Sequence, residues 1–389
     1  MKKFLSLLLA ASCLFLSGCG GSGSIYSNYR ATEHLLLVQT LGADSAGDGA
    51  VTLSVSCQKL SSDNSGGIIS RSGESITRAL SSLQDFSADR QLYYSHAEYV
   101  LMGEDYARSG AENFFDYVAR DNQLRLGIYL FVVKGGSAKE LICGPGEDSY
   151  EVSKTLSSIR RDTQSRGGSH VFTARETIRS LSDHGAALVC ALRPFTTEGS
   201  VYLLEAGLNP VAEGYGILKG GKLVGFVPSE ISQAANLIMG NMGSAGIALP
   251  DGKGGKLSLE YEKGSADITP HWAADGSLES IELKAKLKAN LAEPDTETKH
   301  VTDKALLSQM EEALSRDMEE KIGAVLSISR ELDADFLGLK SYLRQSDGEK
   351  AAALPDSWLK TAKFDIKCET KISYTRELGD QMSAEGGGE

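Results

Sequence analysis

The residues whose types and order specify a covalent reaction are Leu16-Ser17-Gly18-Cys19. They close an apolar run, Phe4 to Leu16, that follows Lys2 and Lys3. A positive start, an apolar middle and small residues before a cut are the parts of a secretory leader. A cysteine directly after Leu-Ser-Gly adds a second chemistry. Its thiol takes a diacylglyceryl group, a peptidase cuts between Gly18 and Cys19, and Cys19 becomes the acylated (palmitate-type) N-terminus. The apolar run is too short to span a bilayer, which takes about 20 residues. Nothing after Leu16 is longer and equally apolar. The expectation is therefore a leader over 1–18, a lipidated cysteine with a Gly/Ser-rich tether over 19–27, and attachment to the membrane through acyl chains alone. Two chains suffice for stable anchoring where one is marginal.

Other reactive side chains form no comparable pattern. Cys57, Cys143, Cys190 and Cys368 are far apart and lack a Cys-x-x-Cys spacing. They are expected to be buried thiols, since free cysteine is among the most buried residue types. The histidines at 34, 96, 170, 184, 271 and 300 do not pair at helical metal spacing. Gly216 to Lys222 fits Gly-x-x-x-x-Gly-Lys, but Leu223 stands where a phosphate-binding loop needs Ser or Thr. The same residues form two apolar runs around Gly220-Gly221, which is a hairpin signal. The sequence thus points to no catalytic group, no metal and no cofactor, and to a protein that is not an enzyme.

The formal net charge is −12, and loss of Lys2 and Lys3 with the leader takes it to −14. Such a surface is repelled by nucleic acid, which is excluded as a main partner. Against that background Lys284, Lys286 and Lys288 stand on alternate positions of one strand. Lys367 and Lys371 fall on a matching face, with Glu260 and Glu262 as expected cross-strand partners. The row is a solvated outer face or a contact surface for a membrane partner.

The elements that position these residues follow from periodicity. Leu35 to Val38, Val51 to Cys57, Leu92 to Met102, Leu126 to Val133 and Ala186 to Leu192 read as strands. Helical spacing recurs at Ile76–Leu83, Ala107–Val118, Val152–Ile159 and Ile178–Leu181. Further on, apolar residues alternate with polar ones over 257–263, 281–291 and 364–374, putting one face inward and one in water. Between the last two lies Thr302–Glu331, with Leu307, Met310, Leu314, Met318 and Ile322 on one side and Glu311, Glu312, Arg316, Glu319 and Glu320 mostly on the other. Thr302 is its expected N-cap, and Asp333 that of the next helix. The fold class expected is α+β and multidomain, each domain a β-sheet flanked by helices. The expected divisions are an N-terminal α/β domain of one or two subdomains over 28–195, a C-terminal α+β domain over 196–378, and a disordered tail over 379–389. The C-terminal domain is expected to be an antiparallel sheet with the long helix on one face.

Taken in order, several stretches resemble the C-subunit (Ger(x)C) family of spore germinant receptors. They are His96-Ala-Glu-Tyr-Val-Leu-Met-Gly-Glu104, Phe114-Phe-Asp-Tyr-Val-Ala-Arg-Asp121, Leu124-Arg-Leu-Gly-Ile-Tyr-Leu-Phe-Val-Val-Lys134, the hairpin Gly216–Phe226, Asp335-Phe-Leu-Gly338, Trp358 and Phe364-Asp365. The chain departs from the family after the lipid cysteine, where only Arg30 and Glu33 loosely fit. It departs again at Glu349–Leu354, where an aromatic residue is usual. The resemblance implies a non-catalytic lipoprotein on the outer face of the spore inner membrane. It would act beside two integral-membrane subunits (A- and B-type) in nutrient-triggered germination. A solute-binding lipoprotein of a membrane transporter shares the leader and the size, and is the alternative.

Overall fold

The computed structural model describes residues 34–373 apart from 60–66, 88–89, 122, 145–149, 167, 198–206, 251–255 and 294–303. Cys19, the leader, the tether, Thr302 and the tail therefore lie outside the described residues.

In chain order the first unit comprises β1 (Leu35–Ser45), β2 (Val51–Lys59), β3 (Gly67–Gly73), α1 (Ile76–Phe86), β4 (Gln91–Tyr93), β5 (Tyr99–Gly103), α2 (Glu104–Ser109), α3 (Glu112–Arg120), β6 (Tyr129–Val133), α4 (Ala138–Cys143), α5 (Tyr150–Arg166), α6 (Ala174–His184), β7 (Ala186–Thr197), β8 (Gly207–Lys219) and β9 (Lys222–Val227). Its sheet runs β3-β2-β1-β5-β6-β7-β8-β9, with β4 beside β1. The central strands β1, β5, β6 and β7 are mutually parallel, and antiparallel pairs close both ends. Strands covered on both faces must be apolar throughout. Accordingly Val100, Met102, Val132 and Val189 pack with α1–α3, while Leu101, Phe131, Val133 and Cys190 pack on α4 and α5. Local signals set the helix ends. Thr173 and Glu176 form a capping box at the start of α6, and Gly185 ends it with a φ of 74° that a side chain would resist.

The second unit comprises α7 (Ser229–Ile238), β10 (Ala245–Pro250), β11 (Lys256–Trp272), β12 (Leu278–Glu293), α8 (Lys304–Leu332), α9 (Leu339–Ser346), α10 (Gly348–Ala353), α11 (Trp358–Thr361) and β13 (Phe364–Ser373). Its sheet order is β10-β11-β12-β13. Leu259, Tyr261, Leu283, Ala285 and Leu287 share one core with Met310, Leu314, Met318, Ile322 and Val325 of α8. The long helix thus packs its apolar side on the sheet, and the fold is α+β.

Three expectations change. The sheet is antiparallel only through β12, because β13 runs parallel to it. A connection carrying four helices crosses over and returns the chain to the same end, which a hairpin cannot do. The hairpin of β8 and β9, expected in the second unit, belongs to the first sheet. β8 pairs along β7 from Ala186↔Lys219 to Thr197↔Gly207, so a boundary at 195/196 would cut a ladder. The turn at Gly220-Gly221 has φ of 56° and 81°, as a two-residue hairpin requires. Finally, Asp335 and not Asp333 caps α9. Its two carboxylate oxygens accept from the Leu339 and Lys340 amides at 2.8 and 2.7 Å.

Helix α8 also finishes the sheet. β13 is an edge strand, and edge amides left open invite pairing with other chains. Glu311, Ser315 and Glu319 accept from the amides of Ile372, Thr370 and Cys368 at 3.0, 3.0 and 2.7 Å. The match is geometric. Four helical residues rise about 6 Å and two strand residues about 6.6 Å, so every fourth side chain meets every second amide.

Candidate functional site

The lysine row is built by strand register. Lys284, Lys286 and Lys288 project from β12 on the face opposite Leu283, Ala285 and Leu287, and all three are exposed. On one side Lys284 lies opposite Asp267, Lys286 opposite Ser265 and Lys288 opposite Lys263. On the other they face Lys367, Glu369 and Lys371 of β13. The expected match with Lys367 and Lys371 is present. Glu260 and Glu262 are not the partners: Glu260 pairs with Asn290, and Glu262 sits in a bulge between Tyr261 and Lys263.

That bulge adds a residue the sequence reading missed. Without it Lys263 would share the inward face of Leu259 and Tyr261. The extra residue reverses the alternation, turning Lys263 out and Ala266 and Ile268 toward the core. A signal was present, since the apolar positions of this strand switch from odd to even numbers after Tyr261.

Charge is distributed unevenly over this face. Glu282 receives Lys284 at 2.8 Å and Lys367 at 3.1 Å, with His271 at 3.7 Å. The hydrogen bonds from Lys284 and Lys367 hold its carboxyl down at about 2. At the other end Lys263, Lys288 and Lys371 form a single row of like charge across three strands. Lys371 reaches Glu311 at 3.5 Å and Glu369 at 3.6 Å. Lys263, Lys286 and Lys288 make no ion pair among the described residues.

A second feature is a polar cleft of about 600 Å³ between α1 and α3, lined by Thr77, Leu80, Gln84, Tyr94, Tyr117 and Asp121. The Tyr117 hydroxyl donates to Asp121 at 2.9 Å, and the other oxygen of Asp121 takes the Gln123 and Leu124 amides. The Tyr94 hydroxyl is buried without a hydrogen-bond partner among the described residues. Burial raises the pKa of both tyrosines, so they stay protonated near neutrality and offer hydrogen bonds, not proton transfer.

The remaining candidate chemistry is dispersed. Cys190 is buried with its thiol pushed up to about 12 by burial, and Cys57 likewise. Cys143, expected to be buried, is exposed: it is the last residue of α4, a short helix that buries Ala138, Leu141 and Ile142 instead. Gly216 to Lys222 is strand, turn and strand, not a loop that opens a helix. Among the described residues no group of three or more His, Cys, Asp or Glu is placed to hold a metal ion. No described helix is long and apolar enough to cross a membrane.

Two family models match the chain in succession: a spore germination protein N-terminal domain over residues 28–194, and a spore germination B3/GerAC-like C-terminal domain over 213–376. The chain therefore belongs to the GerAC-like family of spore germination proteins. Among curated proteins it is similar to one from Bacillus subtilis (strain 168) described as a spore germination protein, YfkR. The two are 23% identical over 376 residues, covering 92% of this chain and 91% of the relative. Among solved structures it resembles that of the GerBC protein, with a TM-score of 0.56 and 19% identity, covering 85% of this chain and 96% of that one. That likeness is one of fold.

Proposed function

We propose that this chain is the membrane-anchored lipoprotein subunit of a spore germinant receptor. It is held by an acylated Cys19 on the outer face of the spore inner membrane and acts beside two integral-membrane subunits, without catalysis of its own. The observation that carries the reading is continuity. An apolar run that closes on Leu16-Ser17-Gly18-Cys19 precedes two family domains that follow each other from residue 28 to residue 376. A solute-binding lipoprotein of a transporter fits less well. Such proteins are built as two lobes of repeated β-α-β units, whereas here the second sheet is mainly antiparallel with one helix layer.

The partners decide between the two. Affinity purification of the tagged chain from detergent-solubilised spore membranes is expected to bring down two polytopic membrane proteins. Recovery of a transport ATPase with its permease instead would establish the alternative.

A further inference from the structure

We propose that the cleft between α1 and α3 is a binding site for a small zwitterion, an amino acid or short peptide, with Arg90 taking its carboxylate and Asp121 its ammonium group. The inference goes beyond the role proposed above, because binding by the isolated chain needs neither membrane nor partner subunit. Two opposite charges share this cavity without meeting. Arg90 and Asp121 line one cleft of about 600 Å³, a size usual for small-molecule sites. Both are half-buried, and neither forms an ion pair among the described residues. Each sits on a turn that is already fixed. The Arg90 carbonyl accepts from the Gln84 amide group and the Ser87 hydroxyl, both at 2.9 Å, while Gln84 Oε1 accepts from the Leu92 amide at 3.0 Å. Asp121 Oδ1 accepts from the Gln123 and Leu124 amides at 2.8 and 2.9 Å, whereas Oδ2 accepts only from the Tyr117 hydroxyl, at 2.9 Å. That oxygen keeps a lone pair for a further donor. Groups held in place beforehand cost a ligand little ordering.

The surroundings of the two charges select the ligand and its direction. Thr77, Tyr117 and Asp121 also line an adjoining cleft, together with Glu74, Glu112, Asp116 and Arg120. Arg120 is taken by Asp116 at 2.8 Å, so the Asp121 end is acidic. Arg90 does not reach that second cleft. The rest of the first cleft adds hydrogen-bonding groups on Thr77, Gln91 and Gln123, an apolar wall at Leu80, and His34. Tyr94 and Tyr117 stay protonated near neutrality, so neither competes as an anion. A lone anion that enters meets the acidic end, and a lone cation meets Arg90. A molecule that carries both charges satisfies both, and each single-charge competitor is rejected by one of them. Its net neutrality also spares it repulsion from a mature chain at −14.

The test uses the full chain in mild detergent and saturation-transfer NMR titrations of small probes. L-leucine and glycyl-leucine carry both charges, 4-methylpentanoate keeps only the carboxylate, and 3-methylbutylamine keeps only the ammonium. At least one zwitterion is expected to bind about tenfold or more tightly than either single-charge probe, as the loss of one charged hydrogen bond implies. The tighter of the two zwitterions tells an amino-acid site from a peptide site. Arg90→Gln should bring that zwitterion down to the level of the amine, and Asp121→Asn down to the level of the carboxylate. Asparagine at 121 still accepts from the Gln123 and Leu124 amides through Oδ1, so the turn is kept. Arg161→Gln, at an exposed arginine of α5 on the opposite face of the sheet, should change nothing. Equal binding of all the probes, no binding of either zwitterion, or full discrimination in Arg90→Gln overturns the proposal. Such a failure leaves the receptor reading standing, because that is decided by the partners recovered from spore membranes.

Discussion

The two sheets are covered differently, and the difference separates scaffold from surface. Helices lie on both faces of the first sheet, and its central strands are apolar throughout. The second sheet has helices on one face, while its other face carries rows of charge. A sheet buried on both sides can meet a partner only through its loops and edges. A sheet buried on one side can offer a flat face several strands wide. The edges differ too, since α8 satisfies β13 with three side chains.

The largest expected effect lies on the covered side. Leu314 is fully buried in the core shared by α8 and the sheet. Leu314→Ala should lower stability by about 2–5 kcal/mol in urea unfolding. Glu312→Ala, two positions away in an exposed pair with Arg316, should change it by less than about 0.5 kcal/mol. Equal midpoints for the two variants would mean that the apolar stripe of α8 is not core.

A smaller effect is expected at the edge. Glu319→Ala leaves the Cys368 amide without its acceptor and should cost about 1–2 kcal/mol. Concentration-dependent self-association should rise, because the edge is reopened. Glu319→Gln keeps an acceptor and should recover most of the loss. A variant as stable and as monomeric as the native chain would show that the helix does not close the sheet.

Asp335 caps α9 while buried, and burial raises its pKa above the ordinary 3.8. A carboxyl whose folded value is raised is favoured in its protonated form. Its contribution therefore falls as pH rises from the ordinary value through the raised one. Asp335→Asn keeps one acceptor and cannot ionise. The native-minus-variant difference in urea midpoint should shrink as pH rises through that window. A difference that grows with pH would reverse the assignment.

Much of this architecture was legible in the sequence, and the failures share a cause. Alternation over 281–291 and 364–374 located two strands, and the three–four spacing of Leu307 to Ile322 located α8. Period alone does not encode direction, so alternation leaves β13 open to an antiparallel reading although a helical crossover precedes it and makes it parallel. Period also cannot separate a glutamate facing water from one reaching a backbone amide. Helical spacing puts Glu311 and Glu319 on the polar side of α8, yet they hold the edge of β13. The lysine row was legible on β12, because its strand is regular. Lys263 was not, because a single bulge changes which face every later residue occupies.

The proposed attachment to a membrane through Cys19 is tested most directly on the N-terminal peptide. Mass spectrometry of the native protein from spore membranes should find a chain that begins at Cys19 and carries a diacylglyceryl group on its sulfur. A chain that retains residues 1–18, or one cut before an unmodified Cys19, would contradict the account.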